Sequence, residues 1–152
     1  MNGRQSNELT VAADLSEASV EALLNQIKKA TDSRGLQIEI DGQSLVVPTD
    51  LRFTAHRILN SDLRVGTDHN DTNAMKHMGM LPGGIVDWSY LTDPDAWFIV
   101  TDVDDGLISQ MRKAYAFDQD NDFDTSNARM KAQERYATGW ADWRGLFGSP
   151  GA

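Results

Sequence analysis

Four aspartates alternate with other residues late in the chain: Asp118, Asp120, Asp122 and Asp124. Alternating carboxylates are typical of calcium-binding loops, because calcium prefers several oxygen ligands. A loop beginning at the first aspartate would need Gly at its sixth position and Glu at its twelfth, where the sequence has Phe123 and Arg129. A start two residues later fails in the same way. We therefore predict no calcium site, and a small calcium-binding module built on residues 118–124 stays as the alternative function.

A second acidic and histidine-containing group could be proposed as a metal site: Asp68, His69, Asp71 and His77. The spacing of its two histidines matches no helical or hairpin pair of metal ligands. Three nearby methionines suggest copper, but packing of a flexible loop explains them more simply: Met75, Met78 and Met80. The sequence predicts neither a metal nor a cofactor.

Motifs for catalysis are missing from the sequence. It contains no Gly-x-Ser-x-Gly, no His-Glu-x-x-His and no P-loop. It also has no cysteine, which excludes disulfides and thiol catalysis. We expect no enzyme. A carboxylate-based hydrolase remains a third, weaker hypothesis, because the aspartates are numerous although no spacing selects an acid and base pair.

Two sets of residues near the C-terminus suit assembly better than catalysis. The first is cationic and shares one face of a long alternating segment: Arg129, Lys131 and Arg135. The second precedes two glycines and a proline: Asp142, Trp143 and Arg144. If this second stretch is extended, Trp143 points to one face and both charged residues to the other. We expect Trp143 to pack against the domain and the charged pair to hold a turn or meet a neighbouring subunit.

Length and charge limit the class of protein. The 152 residues carry a net charge of −9, which fits one domain with a real core and argues against a groove that wraps nucleic acid. The longest apolar run covers five residues, 96–100, whereas a membrane helix needs about 20. The sequence therefore predicts no membrane span.

The predicted elements alternate irregularly between helix and strand. Ser16 is a helix cap, and Val20, Leu23, Leu24 and Ile27 form one apolar stripe, which predicts a helix over about 17–31. Residues 1–14 are predicted to be loose. The remaining predictions are a strand at 45–47, a helix at 50–59, a loop at 60–82, strands at 85–88, 97–100 and near 107–115, an acidic connection at 118–127 and a long strand after it. This order predicts an α+β fold with a mostly antiparallel sheet flanked by helices.

Several motifs occur in one order along the chain: Leu45-Val46-Val47-Pro48 before an amphipathic helix, Pro82-Gly83-Gly84, Tyr90-Leu91-Thr92-Asp93-Pro94, Asn121-Asp122-Phe123-Asp124, and Asp142-Trp143-Arg144-Gly145. Over about residues 15–151 the sequence resembles the major capsid proteins of tailed double-stranded DNA phages. This resemblance implies the Hong Kong ninety-seven-type capsid fold. Residues 15–43 would belong to the peripheral domain, 44–127 would form the axial domain, and 128–152 would be the peripheral return strand and tail.

The resemblance also implies what the chain lacks. Members of that family carry an N-terminal arm, an extended hairpin loop and a long spine helix before this region. We therefore expect the chain to correspond to the C-terminal part of a capsid protein, without the N-terminal arm, the extended hairpin loop and the long spine helix. We also expect that it does not close into shells by itself.

The function implied by the resemblance is that of a structural subunit of a bacteriophage or prophage capsid around double-stranded DNA. Its partners would be copies of itself or of the full-length capsid subunit in pentamers and hexamers. The DNA would be the content of the shell and not a specific ligand. The subunit would assemble in the bacterial host cytoplasm and end in the virion capsid, which the lack of cysteine fits.

Overall fold

Two separate β-sheets organise the chain in a computed structural model, which describes residues 6–63, 71–121 and 124–152. In chain order the elements are α1 (Glu17–Lys28), β1 (Gly42–Val47), a 3₁₀ turn (Thr49–Leu51), α2 (Arg52–Asn60), α3 (Ala74–Met78), β2 (Ile85–Asp87), β3 (Trp97–Thr101), β4 (Leu107–Asn121), β5 (Ala128–Trp140), a 3₁₀ turn (Trp143–Gly145) and β6 (Leu146–Ser149). The α+β class is the predicted one.

The larger sheet has four strands in the order β2-β1-β3-β6. Strand β3 pairs antiparallel with both β1 and β6, and Ile99 lies opposite Leu45 on one side and Phe147 on the other. These three side chains are fully or nearly fully buried. The sheet is therefore mostly antiparallel, as predicted, except that β1 and β2 run parallel.

Helix α1 covers the buried side of this sheet. Its start is a capping box in which Ser16 accepts from the backbone N–H of Ser19, and the Ser19 hydroxyl accepts from the backbone N–H of Ser16. The predicted apolar stripe is buried against the sheet. The helix ends at Lys28, three residues before the predicted end, because Ala30 turns back to Ile27 and Thr31 bridges to Gln37.

The segment before α1 is bound to the C-terminal strand, so the predicted loose stretch 1–14 is wrong for its described part. The backbone N–H of Leu9 donates to the Gly148 carbonyl at 3.0 Å. The Ala13 carbonyl accepts from the buried Ser149 hydroxyl at 2.9 Å and from Trp97 Nε1 at 3.1 Å. A polar sequence did not reveal these contacts because backbone groups make most of them.

The predicted loop at 60–82 contains a short helix, α3. Asn73 caps it by accepting from the backbone N–H groups of Met75 and Lys76, and its own amide donates to the Ile58 carbonyl at the end of α2. Asn73 is 1% exposed. A five-residue helix is too short to produce a clear apolar period, which is why the sequence pattern missed it.

The second sheet is a long hairpin, and in the part of the chain that the structure describes its strands β4 and β5 pair only with each other. Its presence corrects one expectation, because the predicted acidic connection at 118–127 is strand up to Asn121. The hairpin spans residues 107–140, whereas the extended hairpin loop implied by the family resemblance would precede this region. Two register shifts in β4, between Met111 and Ala116, interrupt the alternation of side chains between the two faces. The strand beyond them therefore shows no regular pattern of period two in the sequence. The predicted boundary between residues 127 and 128 falls at the turn of this hairpin.

Two glycines join the base of the hairpin to the larger sheet. A Cβ atom on Gly145 would lie 2.5 Å from the Cα of Gly106, and one on Gly106 would lie 2.7 Å from the Cα of Gly145. Two real Cβ groups do not fit at such distances. The two chain segments that lead into and out of the hairpin are therefore in direct backbone contact at these glycines.

Candidate assembly surfaces

The predicted C-terminal group forms a tightly bonded turn at the exit of the hairpin. The Asp142 carboxylate accepts from the backbone N–H of Arg144 at 2.9 Å and from its Nη1 at 3.2 Å. Arg144 Nη2 donates to the Thr31 carbonyl at 3.0 Å, and the Arg144 carbonyl accepts from Thr101 Oγ1 at 2.6 Å. The charged pair thus ties this turn to the loop after α1 and to β3.

Trp143 lies on the same side as Arg144 and not opposite to it. The Arg144 guanidinium sits 4.5 Å from the centroid of the Trp143 ring, and the ring of Phe147 lies 6.1 Å away at a tilt of 54°. The expected separation of the two faces is wrong because this stretch is a 3₁₀ turn, which rotates each residue by about 120° and not by the half-turn of a strand. Trp143 packs against the core and is partly buried.

The three predicted cations lie together on one face of β5, and the register of the hairpin gives each a partner position on β4. Arg129 lies opposite Asp120, and Lys131 lies opposite Asp118. Such opposite charges across a strand pair favour each other. Arg135 lies opposite Lys113, whose amino group hydrogen-bonds Gln133. Arg129 and Lys131 therefore lie opposite carboxylates of the same hairpin near its tip. Arg135 and Lys113 instead place two positive charges next to each other in its middle.

The same register weighs against the calcium alternative. Asp118 and Asp120 are exposed strand residues, and a calcium ion bound there would compete with Lys131 and Arg129. Asp122 and Phe123 lie outside the described residues. Within the described stretches, no three His, Asp or Glu side chains come close enough together to hold a metal ion.

The group of histidines and methionines does not converge in the described part of the chain. Asp68 and His69 lie outside the described residues, while Asp71 and His77 are exposed. Met75 is 4% exposed and Met80 packs partly against the same core, whereas Met78 on α3 is 71% exposed. Two of the three methionines therefore serve packing.

The hairpin has an apolar face that the sequence pattern identified only on β5. Side chains directly opposite in a strand pair share a face, so the register adds β4 residues to those of β5. Six large side chains on this aromatic face each expose more than half of their surface: Leu107, Met111, Phe117, Met130, Tyr136 and Trp140. Glu134 lies near the middle of this face, between Ala132 and Tyr136. The β4 residues of this face were not predicted from the sequence because the register shifts interrupt the alternation of side chains in that strand.

A second apolar surface is an open groove of about 980 Å³ between the N-terminal segment, α1 and the C-terminal turn. Its apolar lining comes from Leu9, Val11, Ala18, Ala22, Trp143 and Phe147. Lys29 at the end of α1 and Glu8 on the N-terminal segment also line it. The small residues Ala18 and Ala22 follow each other at helical spacing on the exposed side of α1, a signal that was visible in the sequence. We call this surface the α1 groove.

Two surface ion pairs away from the hairpin shift pKa values. A hydrogen bond to Asp41 raises the pKa of Lys28, and a hydrogen bond from Lys76 lowers the pKa of Asp62. The first pair joins α1 to the start of β1, and the second joins α3 to the end of α2. Both pairs therefore lie in the body of the molecule and not on the aromatic face.

Comparison with known proteins finds a matching family and similar solved structures. A family described as phage capsid protein matches residues 2–148. The crystal structure of a virus-like particle from Pyrococcus furiosus is similar, with 10% sequence identity and a TM-score of 0.49. That match covers 93% of this chain but only 55% of the other, so this chain spans about half of that one. No curated protein matches the sequence.

The described helices include none with the length and apolarity that crossing a membrane requires.

The family match extends over nearly the whole chain and includes the larger sheet, the hairpin and the C-terminal turn. The chain therefore belongs to the phage capsid protein family.

Proposed function

We propose that the chain is a structural subunit of a phage or prophage shell that encloses double-stranded DNA. The observation that carries this proposal is the family match over residues 2–148. Such a protein acts by contacts with its neighbours. The partners are copies of this chain or of a longer capsid subunit, arranged in pentamers and hexamers, and assembly takes place in the bacterial cytoplasm.

The surface of the chain supports a role in contacts between subunits. Soluble monomers rarely expose continuous apolar patches above a few hundred Å². The aromatic face presents six large apolar side chains to solvent, and the α1 groove exposes Val11 beside the partly buried Leu9 and Trp143. The net charge of −9 suits a shell that holds DNA as its content without gripping it.

The domain assignment implied by the family resemblance remains part of this proposal, with one adjustment. We place β1, β2 and β3 of the larger sheet with α2 and α3 in the axial part of the subunit. Because β4 and β5 form a single hairpin, we assign residues 107–140 together and not to two domains. Asp142 and Arg144 then hold the junction between this hairpin and the rest.

The test is whether the chain occurs in DNA-filled particles. Particles from cells that encode the chain are treated with nuclease, purified by density and analysed by mass spectrometry and electron microscopy. We expect peptides from residues 93–121 and 124–152 in the fraction that holds nuclease-protected double-stranded DNA and closed shells. Peptides found only outside that fraction would contradict a role in the shell.

The calcium alternative has a test of its own. Calorimetry with calcium alone should give no saturable binding, because Asp118 and Asp120 face cations across the hairpin. Tight binding that disappears in Asp120→Asn would replace the shell proposal with a calcium-dependent module.

A further inference from the structure

The aromatic face of the hairpin exposes too much apolar surface, with too little of it covered, to remain in contact with solvent. Its six large side chains together expose on the order of 800 Å², given that one aromatic side chain covers roughly 150–250 Å². This is about what one partner contributes to a standard protein interface. A two-stranded ribbon is also only marginally stable in water unless something covers one of its faces. The described residues of the chain itself leave this face uncovered.

We propose that the aromatic face of one copy docks in the α1 groove of the next copy. This proposal rests on the proposed function, in which many copies of the chain meet in one shell. The contact is head to tail, because the aromatic face of each copy meets the α1 groove of the next one.

The position of Glu134 argues against packing of two aromatic faces on each other. A symmetric pair of hairpins that buried the full face would bring the middle of one face against the middle of the other. Glu134 would then meet the same carboxylate of the second copy. Like charges brought together in an interface cost several kcal/mol, so the two surfaces in contact must differ.

The α1 groove supplies the complement that the aromatic face lacks. It is lined by Ala18 and Ala22, whose small side chains leave room for large ones, and by Trp143. Its volume of about 980 Å³ is enough for several side chains. The groove is lined by one carboxylate, Glu8, and by one ammonium group, that of Lys29 at the end of α1, which offers an opposite charge to Glu134 of the incoming hairpin.

The distribution of charge favours the same arrangement. Residues 107–140 contain five cations and five anions, so the hairpin is neutral and the rest of the chain carries the whole net charge of −9. The body, meaning the chain outside residues 107–140, is negatively charged, so two bodies in contact would repel each other. A neutral hairpin meets a body without this electrostatic repulsion. A contact between different surfaces also propagates into rings or chains instead of stopping at a dimer, as a shell requires.

The first experiment measures association of the full chain by analytical ultracentrifugation over a range of concentrations. We expect concentration-dependent oligomers for the natural sequence and at least tenfold weaker association for Tyr136→Ser. The matched control is Ala137→Ser, on the opposite face of the same strand, which should associate like the natural protein. Monomers at every concentration, or equal association of both variants, would overturn the proposal.

The second experiment mixes two variants that each keep one surface. Tyr136→Ser retains the groove, and Ala22→Arg fills the groove but retains the aromatic face. Each variant alone should be monomeric, and their mixture should form a one-to-one dimer that grows no further. Association of Ala22→Arg with itself would show hairpin-to-hairpin packing and overturn the head-to-tail order.

The third experiment exchanges the proposed charge pair. Glu134→Lys and Lys29→Glu should each weaken association about fivefold, and the double variant should recover most of the loss. Two independent losses without recovery would place the hairpin elsewhere. Circular dichroism of each variant confirms that the fold is intact. None of these results bears on whether the chain is found in nuclease-protected particles, so this proposal and the shell function fail separately.

Discussion

The body of the molecule and its hairpin use β-strands in opposite ways. In the body, short strands such as β3 bury alternate side chains, and Trp97 and Ile99 are fully shielded from solvent. In the hairpin, strands of 15 and 13 residues expose almost every described side chain on both faces. The body therefore draws its stability from its own core, whereas the hairpin leaves its side chains exposed to solvent. This difference predicts that equal substitutions have unequal effects in the two regions.

The largest expected effect comes from Trp97→Ala in the body. Its ring is fully buried and its Nε1 donates to the Ala13 carbonyl, so we expect a loss of about 3–5 kcal/mol in the free energy of unfolding. The matched change on the hairpin is Trp140→Ala, where the ring is 69% exposed and the loss should stay within about 0.5 kcal/mol. Urea unfolding of both variants at a concentration where the protein is monomeric measures this contrast. Similar losses in the two variants would refute the distinction between the regions.

Glycines give the next comparison. Gly145→Ala places a methyl group against the backbone of Gly106 and should cost about 1–3 kcal/mol. Gly139→Ala in β5 meets no atom within 4 Å and should change stability by less than about 0.5 kcal/mol. Thermal unfolding distinguishes the two. A neutral Gly145→Ala would mean that the base of the hairpin is not locked by backbone contact.

A buried amide gives a similar loss inside the body. Asn73→Ala removes the cap of α3 and leaves the Ile58 carbonyl without its donor, so we expect a loss of about 1–3 kcal/mol. Asn121→Ala at the exposed end of β4 is the control and should be close to neutral. Denaturant unfolding followed by tryptophan fluorescence measures both. Equal stability of the two variants would contradict the role given to Asn73.

Trp143 lies at the border of the two regions and should show an intermediate effect. Its ring packs on Phe147 and under the Arg144 guanidinium but is only partly buried, so Trp143→Ala should cost about 1–2 kcal/mol. The same change should weaken association, because Trp143 lines the α1 groove. Unfolding and ultracentrifugation of one sample test both effects. Unchanged stability would mean that the ring serves the neighbour alone.

The smallest expected effect concerns acid. Lys76 lowers the pKa of Asp62 below its usual 3.8, so this ion pair stabilises the folded state above that pH and loses its contribution as the pH falls through the folded-state pKa. Asp62→Asn should therefore be slightly less stable than the natural protein at neutral pH and equally stable in strong acid. Thermal unfolding across pH checks this, and Lys76→Gln should remove the same difference. A gap that persists in strong acid would exclude the ion pair as its cause.

The sequence was informative wherever a local pattern was undisturbed. The cap at Ser16 and the stripe of Val20, Leu23 and Ile27 predicted α1 to within three residues, because a helix that covers a core must repeat its apolar side chains every three or four positions. The apolar runs of β1 and β3 predicted buried strands for a similar reason. The order of motifs also pointed to the family that the comparison found.

Only the tertiary structure decided how these parts meet. The hairpin could not be predicted as a unit, because two register shifts interrupt β4 and because pairing between Leu107 and Trp140 joins residues far apart in the chain. The bonds of Ala13 with Ser149 and Trp97 are equally invisible, since the carbonyl that accepts them exists in every residue. Local periodicity reports which side of an element is apolar. Whether that side meets the chain's own core, as in α1, or remains open, as on the hairpin, depends on contacts between distant segments that no local pattern encodes.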